Sequence, residues 1–137
     1  MLLSPSKEKH RKVQKGRIPF KVKAGFKIAF GEYALKSLTH KRISAAQIEA
    51  ARKSIMKLME RKGKLWIKVF PDIPVSKKPA EVRMGKGKGS RDRYVFKISP
   101  GRILFELDGV SESIAELALT TAANKLPIKT KFIKRYD

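Results

Sequence analysis

The sequence predicts an α+β fold: a two-layer α/β sandwich with a mostly antiparallel sheet and two helices. Three observations predict it. Two segments, beginning at Ser44 and Ser111, carry apolar residues at helical spacing. Several short segments alternate apolar and polar residues with period two. Turn signals at Pro71-Asp72-Ile73-Pro74, Pro100-Gly101 and Asp108-Gly109 separate the short segments closely. With 137 residues, 42% of them apolar, the chain can bury one core.

Residues 1–25 form a basic arm. Lys7, Lys9, Arg11, Lys12, Lys15, Arg17, Lys21 and Lys23 stand there against one acid, Glu8. A block of like charge does not order itself in water, so this arm is expected to order on a polyanion. A single domain, 26–137, follows. Phe26 to Phe30 alternates and ends at Gly31, which predicts a strand, with a second strand over Tyr33 to Leu38. Thr39 to Ile43 reads as a polar, basic connection. Ser44 and Gln47 match the capping box at a helix start. Ile48, Ala51, Ile55, Leu58 and Met59 then share one face, while Arg52, Lys53 and Lys57 lie elsewhere around the helix. Gly63 is placed for a left-handed cap.

Lys64 to Phe70 carries bulk on both faces and reads as a central strand. Residues 75–91 then form a long basic loop inserted in the domain. Tyr94, Phe96 and Ile98, then Ile103, Phe105 and Leu107, predict an antiparallel hairpin turning at Pro100-Gly101. Ser111 caps a second helix, with Glu112 and Glu116 early and Ile114, Leu117, Ala118 and Thr121 as its inner stripe. Leu126-Pro127-Ile128 leads to a last strand, Lys129 to Ile133. Glu106, Asp108, Glu112 and Glu116 gather four of the twelve acids in this region, so it is expected to face away from a polyanion.

The charge balance indicates the partner. Lys and Arg number 33 against 12 acids, giving a net charge of +21 and a pI near 10.5. Self-repulsion of this size opposes folding, so the excess points to an anionic partner, nucleic acid ahead of a membrane surface. The absence of cysteine excludes disulfides and thiolate metal sites. His10 and His40 have no ligand neighbours at metal spacing, and no metal or other cofactor is expected. No apolar stretch approaches the ~18 residues of a membrane span. No apolar run follows the basic N-terminal segment, so it is not a secretory signal, though it resembles an organellar transit peptide in part. The helix stripes suit a sheet rather than a membrane surface, and no membrane partner is expected.

Arg83-Met84-Gly85-Lys86-Gly87-Lys88-Gly89-Ser90 is the most informative run. Alternate glycines leave the backbone open, and Arg83, Lys86, Lys88, Arg91 and Arg93 crowd around it. Main-chain amides and cations can reach phosphate there together. The bland reading, a flexible linker, is opposed by its place inside the domain. The run matches neither the NTPase phosphate loop nor the dinucleotide fingerprint. No nucleophile–base set or acid pair is suggested, so no catalytic residue is assigned and an enzyme is not expected. Trp66 and the Tyr and Phe residues fall in strand patterns, which suggests core rather than a base-stacking platform.

Further blocks are Ala46-Gln47-Ile48-Glu49-Ala50-Ala51-Arg52, Gly63-Lys64-Leu65-Trp66-Ile67-Lys68-Val69-Phe70-Pro71-Asp72 and Lys78-Pro79-Ala80-Glu81-Val82 leading into the glycine run. Pro100-Gly101-Arg102-Ile103-Leu104-Phe105-Glu106 and Ala122-Ala123-Asn124-Lys125-Leu126-Pro127-Ile128-Lys129-Thr130 follow in order. In these blocks, and in the opening Met1 to Lys12, the chain resembles the bacterial and organellar type of large-subunit ribosomal protein L sixteen over nearly its whole length. The resemblance implies an α/β sandwich seated on large-subunit ribosomal RNA near the aminoacyl-tRNA site and the peptidyl transferase centre. It implies support for tRNA positioning and for late subunit assembly in translation. The expected partners are ribosomal RNA, tRNA in the aminoacyl site and other large-subunit proteins, not a second copy of the chain. On this reading the rRNA-binding residues are Lys7, Lys9, Arg11, Lys12, Lys15, Arg17, Lys21, Lys23, Arg52, Arg91 and Arg93. The loop nearest tRNA is Arg83, Met84, Gly85, Lys86, Gly87, Lys88 and Gly89, where the family's hydroxylated arginine corresponds to Arg83. The segments Arg91 to Val95 and Ile18 to Ala24 depart from the family pattern. The alternative is a free RNA chaperone or assembly factor. The lysine- and isoleucine-rich composition suggests an AT-rich genome, which favours the mitochondrial matrix over a bacterial cytoplasm or a plastid.

Overall fold

The computed structural model describes residues 4–136. Met1, Leu2 and Leu3, which open both the arm and the family-like start, lie outside the described residues, as does Asp137. The elements run β1 (Tyr33–Ser37), β2 (Lys41–Ser44), α1 (Ala45–Leu58), β3 (Lys64–Ile67), β4 (Ile73–Lys77), β5 (Ser90–Ile98), β6 (Ile103–Asp108), α2 (Glu112–Ala123) and β7 (Thr130–Lys134). They form a four-stranded sheet, β3-β6-β1-β7, and a three-stranded sheet, β2-β5-β4. Every strand pairing is antiparallel. The α+β reading therefore holds.

The register explains the core. Leu35 lies opposite Phe105 and Phe132, and Phe105 lies opposite Ile67, so one face of the larger sheet is apolar. α2 rests on β1 and β7, and α1 packs against α2 and meets β2 and β5. Ile48, Ala51 and Ile55 of α1 join Ala115, Ala118, Leu119 and Ala122 of α2 and the buried Leu35, Leu104, Phe105 and Leu107. Burying each large side chain contributes about 1.5–3 kcal/mol. The capping box starts α1: Ser44 Oγ accepts from the Gln47 amide at 3.4 Å, and Gln47 Oε1 accepts from the Ser44 amide at 3.0 Å.

Several expectations need correction. Phe26 to Phe30 is not a strand; its last amides bond to a carboxylate rather than to a neighbouring strand. The segment Thr39 to Ile43 contains β2 rather than only a connection. Helix α1 ends at Leu58, and Gly63 lies beyond its cap at Met59. Gly63 does take the expected left-handed φ, at 77°, and close approach also requires it, since a Cβ there would come within 2.3 Å of the Asp108 carbonyl oxygen. Strand β3 stops at Ile67 and sits at a sheet edge, not in the centre. Its second bulky face is explained by Phe30, which stacks on Trp66 at 5.9 Å.

Strands β5 and β6 are not a hairpin but belong to different sheets. The buried Ser37 directs this switch. The amide of Ser37 donates to the Arg102 carbonyl at 2.9 Å, and the Gly101 amide donates back to the Ser37 carbonyl at 2.8 Å. The Ser37 hydroxyl donates to the Ser99 carbonyl at 2.8 Å. The turn is thereby bound to the end of β1, and the chain crosses between sheets there. In α2 the inner stripe is Ala115, Ala118, Leu119 and Ala122, while Ile114 and Leu117 are 42% and 57% exposed. Apolar residues occur on most sides of this helix, so periodicity alone does not select the face. The small alanines let α1 approach closely.

Glu106 is the least expected member of the interior. It is fully buried at the centre of the larger sheet, beside Ala34 and Trp66, on the face opposite the helices. Its carboxylate accepts from the amides of Ala29 at 2.7 Å, Phe30 at 2.9 Å and Gly31 at 3.3 Å. Glu106 therefore does not face outward with the other acids of its region. Gly31 is needed there: a Cβ would lie 2.5 Å from the Leu107 carbonyl oxygen.

Two stability outcomes are expected. Glu106→Ala strands three amide donors and should cost about 3 kcal/mol, with Glu106→Gln costing about half as much, whereas the exposed Glu116→Gln should stay within about 0.5 kcal/mol. Urea denaturation checks this, and equal stability of Glu106→Ala and wild type would refute it. The second concerns Glu49. The Arg52 guanidinium donates to both its oxygens and holds its carboxyl below the ordinary value of 4.5. A depressed folded value stabilises above the unfolded value, and that stabilisation is lost as pH falls through the folded one. Arg52→Gln should therefore be about 0.5 kcal/mol less stable than Lys53→Gln at neutral pH, and the gap should close in acid. A gap that persists at low pH would contradict this.

Candidate nucleic-acid interface

The arm lies against the domain through hydrogen bonds rather than through an apolar stripe. Glu8, its one acid within 1–25, accepts from Arg91 Nη1 at 2.5 Å and from the Tyr94 hydroxyl at 2.8 Å. Arg91 also donates to Tyr94 Oη at 2.7 Å. Burial, then the bond to Glu8, pushes the Tyr94 phenol above its ordinary value of 10.0. Further along, Arg42 Nη2 donates to the carbonyls of Lys15 at 2.8 Å and Gly16 at 2.9 Å. Arg102 donates to Ala24 at 3.0 Å and to Lys68 at 2.9 Å. Gly25 makes room for it, since a Cβ there would meet the Arg102 guanidinium at 2.6 Å.

The glycine run occupies the connection between β4 and β5, residues 78–89, shorter than the 75–91 expected because both strands extend into it. Gly85, Lys86 and Gly87 all have positive φ, at 97°, 62° and 84°. Added Cβ atoms at Gly85 and Gly87 would meet none of the described residues within 4 Å, so these glycines serve conformation. Gly89 serves space: its Cβ would lie 2.8 Å from the Lys77 backbone. Lys78 Nζ donates to the Gly85 carbonyl and braces the loop from its base. Arg83, Met84 and Lys86 stand exposed at its tip, Met84 at 99%.

Arm and loop meet. Lys12 Nζ donates to the Lys88 carbonyl at 3.1 Å, and Lys88 Nζ donates to the Val13 carbonyl at 2.8 Å. A concavity of about 490 Å³ lies between Arg11 and Lys12 on the arm and Ser90 and Arg91 on β5. The structure thus brings Arg11, Lys12, Lys15, Lys88, Arg91 and Arg93 to one region. Lys7, Lys9 and Arg17 are exposed along the arm, and Lys21 and Lys23 line a smaller recess with Phe96 and Arg102. Arg52 lies apart on α1, paired with Glu49 and next to Lys53, Lys57 and Arg61.

The electrostatic character follows from the partners used. Lys12, Arg42, Lys78, Lys88 and Arg102 are held by carbonyl oxygens, which do not cancel charge. Sequence reasoning does not single out Arg42, Lys78 or Arg102, and no local pattern could, because their partners are backbone atoms up to 78 residues away. The aromatic expectation also fails in part. Phe105 is fully buried, but Phe20, Phe26, Phe30 and Phe70 are exposed, at 82%, 46%, 58% and 43%.

Residues 5–133 match the family described as Ribosomal protein L16p/L10e. Over 136 residues the chain is 60% identical to Large ribosomal subunit protein uL16 of Orientia tsutsugamushi (strain Boryong), covering 99% of this chain and 100% of that one. The protein of the same name from Rickettsia felis (strain ATCC VR-1525 / URRWXCal2) is 54% identical with the same coverage. That from Rickettsia massiliae (strain Mtu5) is 53% identical, again over 99% and 100%. With this extent of match, the chain belongs to the L16p/L10e family of ribosomal proteins.

Proposed function

We propose that this chain is a structural constituent of the large ribosomal subunit that binds large-subunit rRNA through its arm, its glycine loop and β5. The observation that carries the RNA contact is the meeting of arm and loop at Lys12 and Lys88, two cations held by main-chain carbonyls rather than by acids. The family is one of ribosomal structural proteins, and the chain is not an enzyme. Within the subunit, the open tip Arg83–Gly87 is the part that reaches toward the aminoacyl-tRNA site and supports tRNA positioning, and late assembly depends on the arm. The similar proteins come from bacteria. The lysine- and isoleucine-rich composition is the support for a mitochondrial ribosome, and fractionation of a tagged copy tests that placement.

Two experiments test this reading. A tagged chain should sediment with the large subunit and its rRNA after a high-salt wash. A free RNA factor making ~6–10 phosphate contacts would lose binding by orders of magnitude in salt and remain at the top of the gradient. Lys86→Ala should leave the melting temperature unchanged yet slow elongation or accumulate subunit precursors. Lys88→Ala should do the same and also loosen the arm, read as faster proteolysis within residues 4–25, because it removes the bond to Val13. Normal polysome profiles and elongation rates in both variants would sink the role given to the loop.

A further inference from the structure

The outer face of the three-stranded sheet is set by register. Ser44, Val95 and Ile73 lie side by side across β2, β5 and β4, and Arg93 lies beside Val75. Arm residues 13–18 cross this face, held by Arg42 and Lys88. Between arm and sheet runs a crevice of about 730 Å³, within the ~300–1,000 Å³ typical of small-ligand sites.

Its two halves differ in chemistry. Ile73, Val75 and Val95 give it an apolar floor, while Lys15, Lys88 and Arg93 stand among its cations. None of its sixteen described lining residues is acidic. Ser76 Oγ, also lining it, is buried without a hydrogen-bond partner among the described residues. Arg93 is committed to Asp92 at 2.8 Å, but Lys88 bonds to a carbonyl rather than to an acid. A bare phosphate site has no use for an aliphatic floor, and an apolar ligand has no use for these cations. A nucleotide uses both, with a planar base against aliphatic carbon and a phosphate against ammonium groups.

We propose that the crevice seats one nucleotide of an RNA strand, turned out of its stack, with its base on Ile73, Val75 and Val95 and its phosphate toward Lys15 and Lys88. This rests on the RNA-binding reading above and adds that one contact is to a base rather than to backbone alone. An unstacked nucleotide is required, since a stacked base presents no face to such a floor.

The purified full-length chain should bind adenosine 5′-monophosphate about tenfold more tightly than inorganic phosphate in calorimetric titration at low salt. Val75→Glu, which places a carboxylate on the partly exposed floor, should abolish that preference, and Glu116→Gln should retain it. In the wild type, the methyl NMR signals of Val75 and Val95 should shift with the nucleotide and not with phosphate, a readout that does not depend on the variant folding. Equal affinity for the two probes, or unmoved methyl signals, overturns the proposal. In large subunits irradiated with ultraviolet light, a nucleotide adduct on the peptide containing Ile73–Lys77 supports RNA as the source. Titration binding with no such adduct overturns the RNA assignment in favour of a free nucleotide. Failure of the chain to sediment with the subunit, with nucleotide binding intact, would instead count against the ribosomal reading and leave the crevice standing.

Discussion

The carboxylate of Glu106 and the three amides of residues 29–31 hold the rest of the molecule in relation. A buried charge without partners is strongly disfavoured, so Glu106 can occupy the middle of a sheet only if donors come to it. Consecutive backbone amides supply them. The exchange works in both directions. The sheet gains a satisfied interior, and a chain segment with no strand partner gains a fixed position. The bonds continue on either side: the Glu32 amide donates to the Leu107 carbonyl at 2.9 Å, and the Arg135 amide donates to the Glu32 carbonyl at 2.7 Å. The direction in which the arm leaves the domain is therefore set from the core. Phe30 is fixed by the same bonds, with Trp66 stacked on it and Lys68 Nζ 4.3 Å from its ring centre.

The arm poses a second physical problem, because eight cations within 25 residues repel one another. Carboxylates would order them, but would also neutralise the charge that an RNA partner needs. The chain uses carboxylates sparingly: Glu8 holds Arg91, and Asp92 holds Arg93. Elsewhere the donors are Lys and Arg side chains, and the acceptors are main-chain carbonyls of the arm or loop. Such charge-assisted bonds order the backbone while the net charge stays unchanged. A basic segment can in this way be laid on a basic domain and still present its charge outward.

The legible parts of the sequence were those with local signatures. Ser44 and Gln47 marked the start of α1 because a capping box is a contact between residues three apart. The alternation of Ile103, Phe105 and Leu107 marked β6 for a similarly local reason. The partners of these elements were not legible. Ser37 directs β5 and β6 into separate sheets through bonds to residues more than sixty positions away, whereas Pro100-Gly101 read by itself looks like a hairpin turn. Glu106 reads as one more acid of the region turned away from a polyanion, since nothing nearby in sequence announces its donors. In the candidate interface the residue types were legible from composition, and the glycine run from its spacing. The joining of arm to loop was not, because it depends on carbonyl acceptors that every residue possesses.

The glycine loop shows why its charges need this backbone. Left-handed φ at Gly85, Lys86 and Gly87 in succession gives the loop tip a backbone course that residues with side chains rarely adopt. Lys86 adopts that conformation without being glycine, which costs of order 1 kcal/mol unless its surroundings hold it. Lys78 supplies a restraint by donating to the neighbouring Gly85 carbonyl, and Gly89 allows the loop base to close onto Lys77. The loop is thus anchored at its base and by its lysine brace, and open at the Cβ positions of Gly85 and Gly87, where no described atom lies within 4 Å. The same open space that makes a side chain unnecessary there leaves room for the phosphate backbone that the proposed RNA contact requires. A bulky residue at Gly85 or Gly87 would therefore act twice, through the strain of positive φ and through loss of that approach. At Gly89 the penalty would fall on the loop's closure instead.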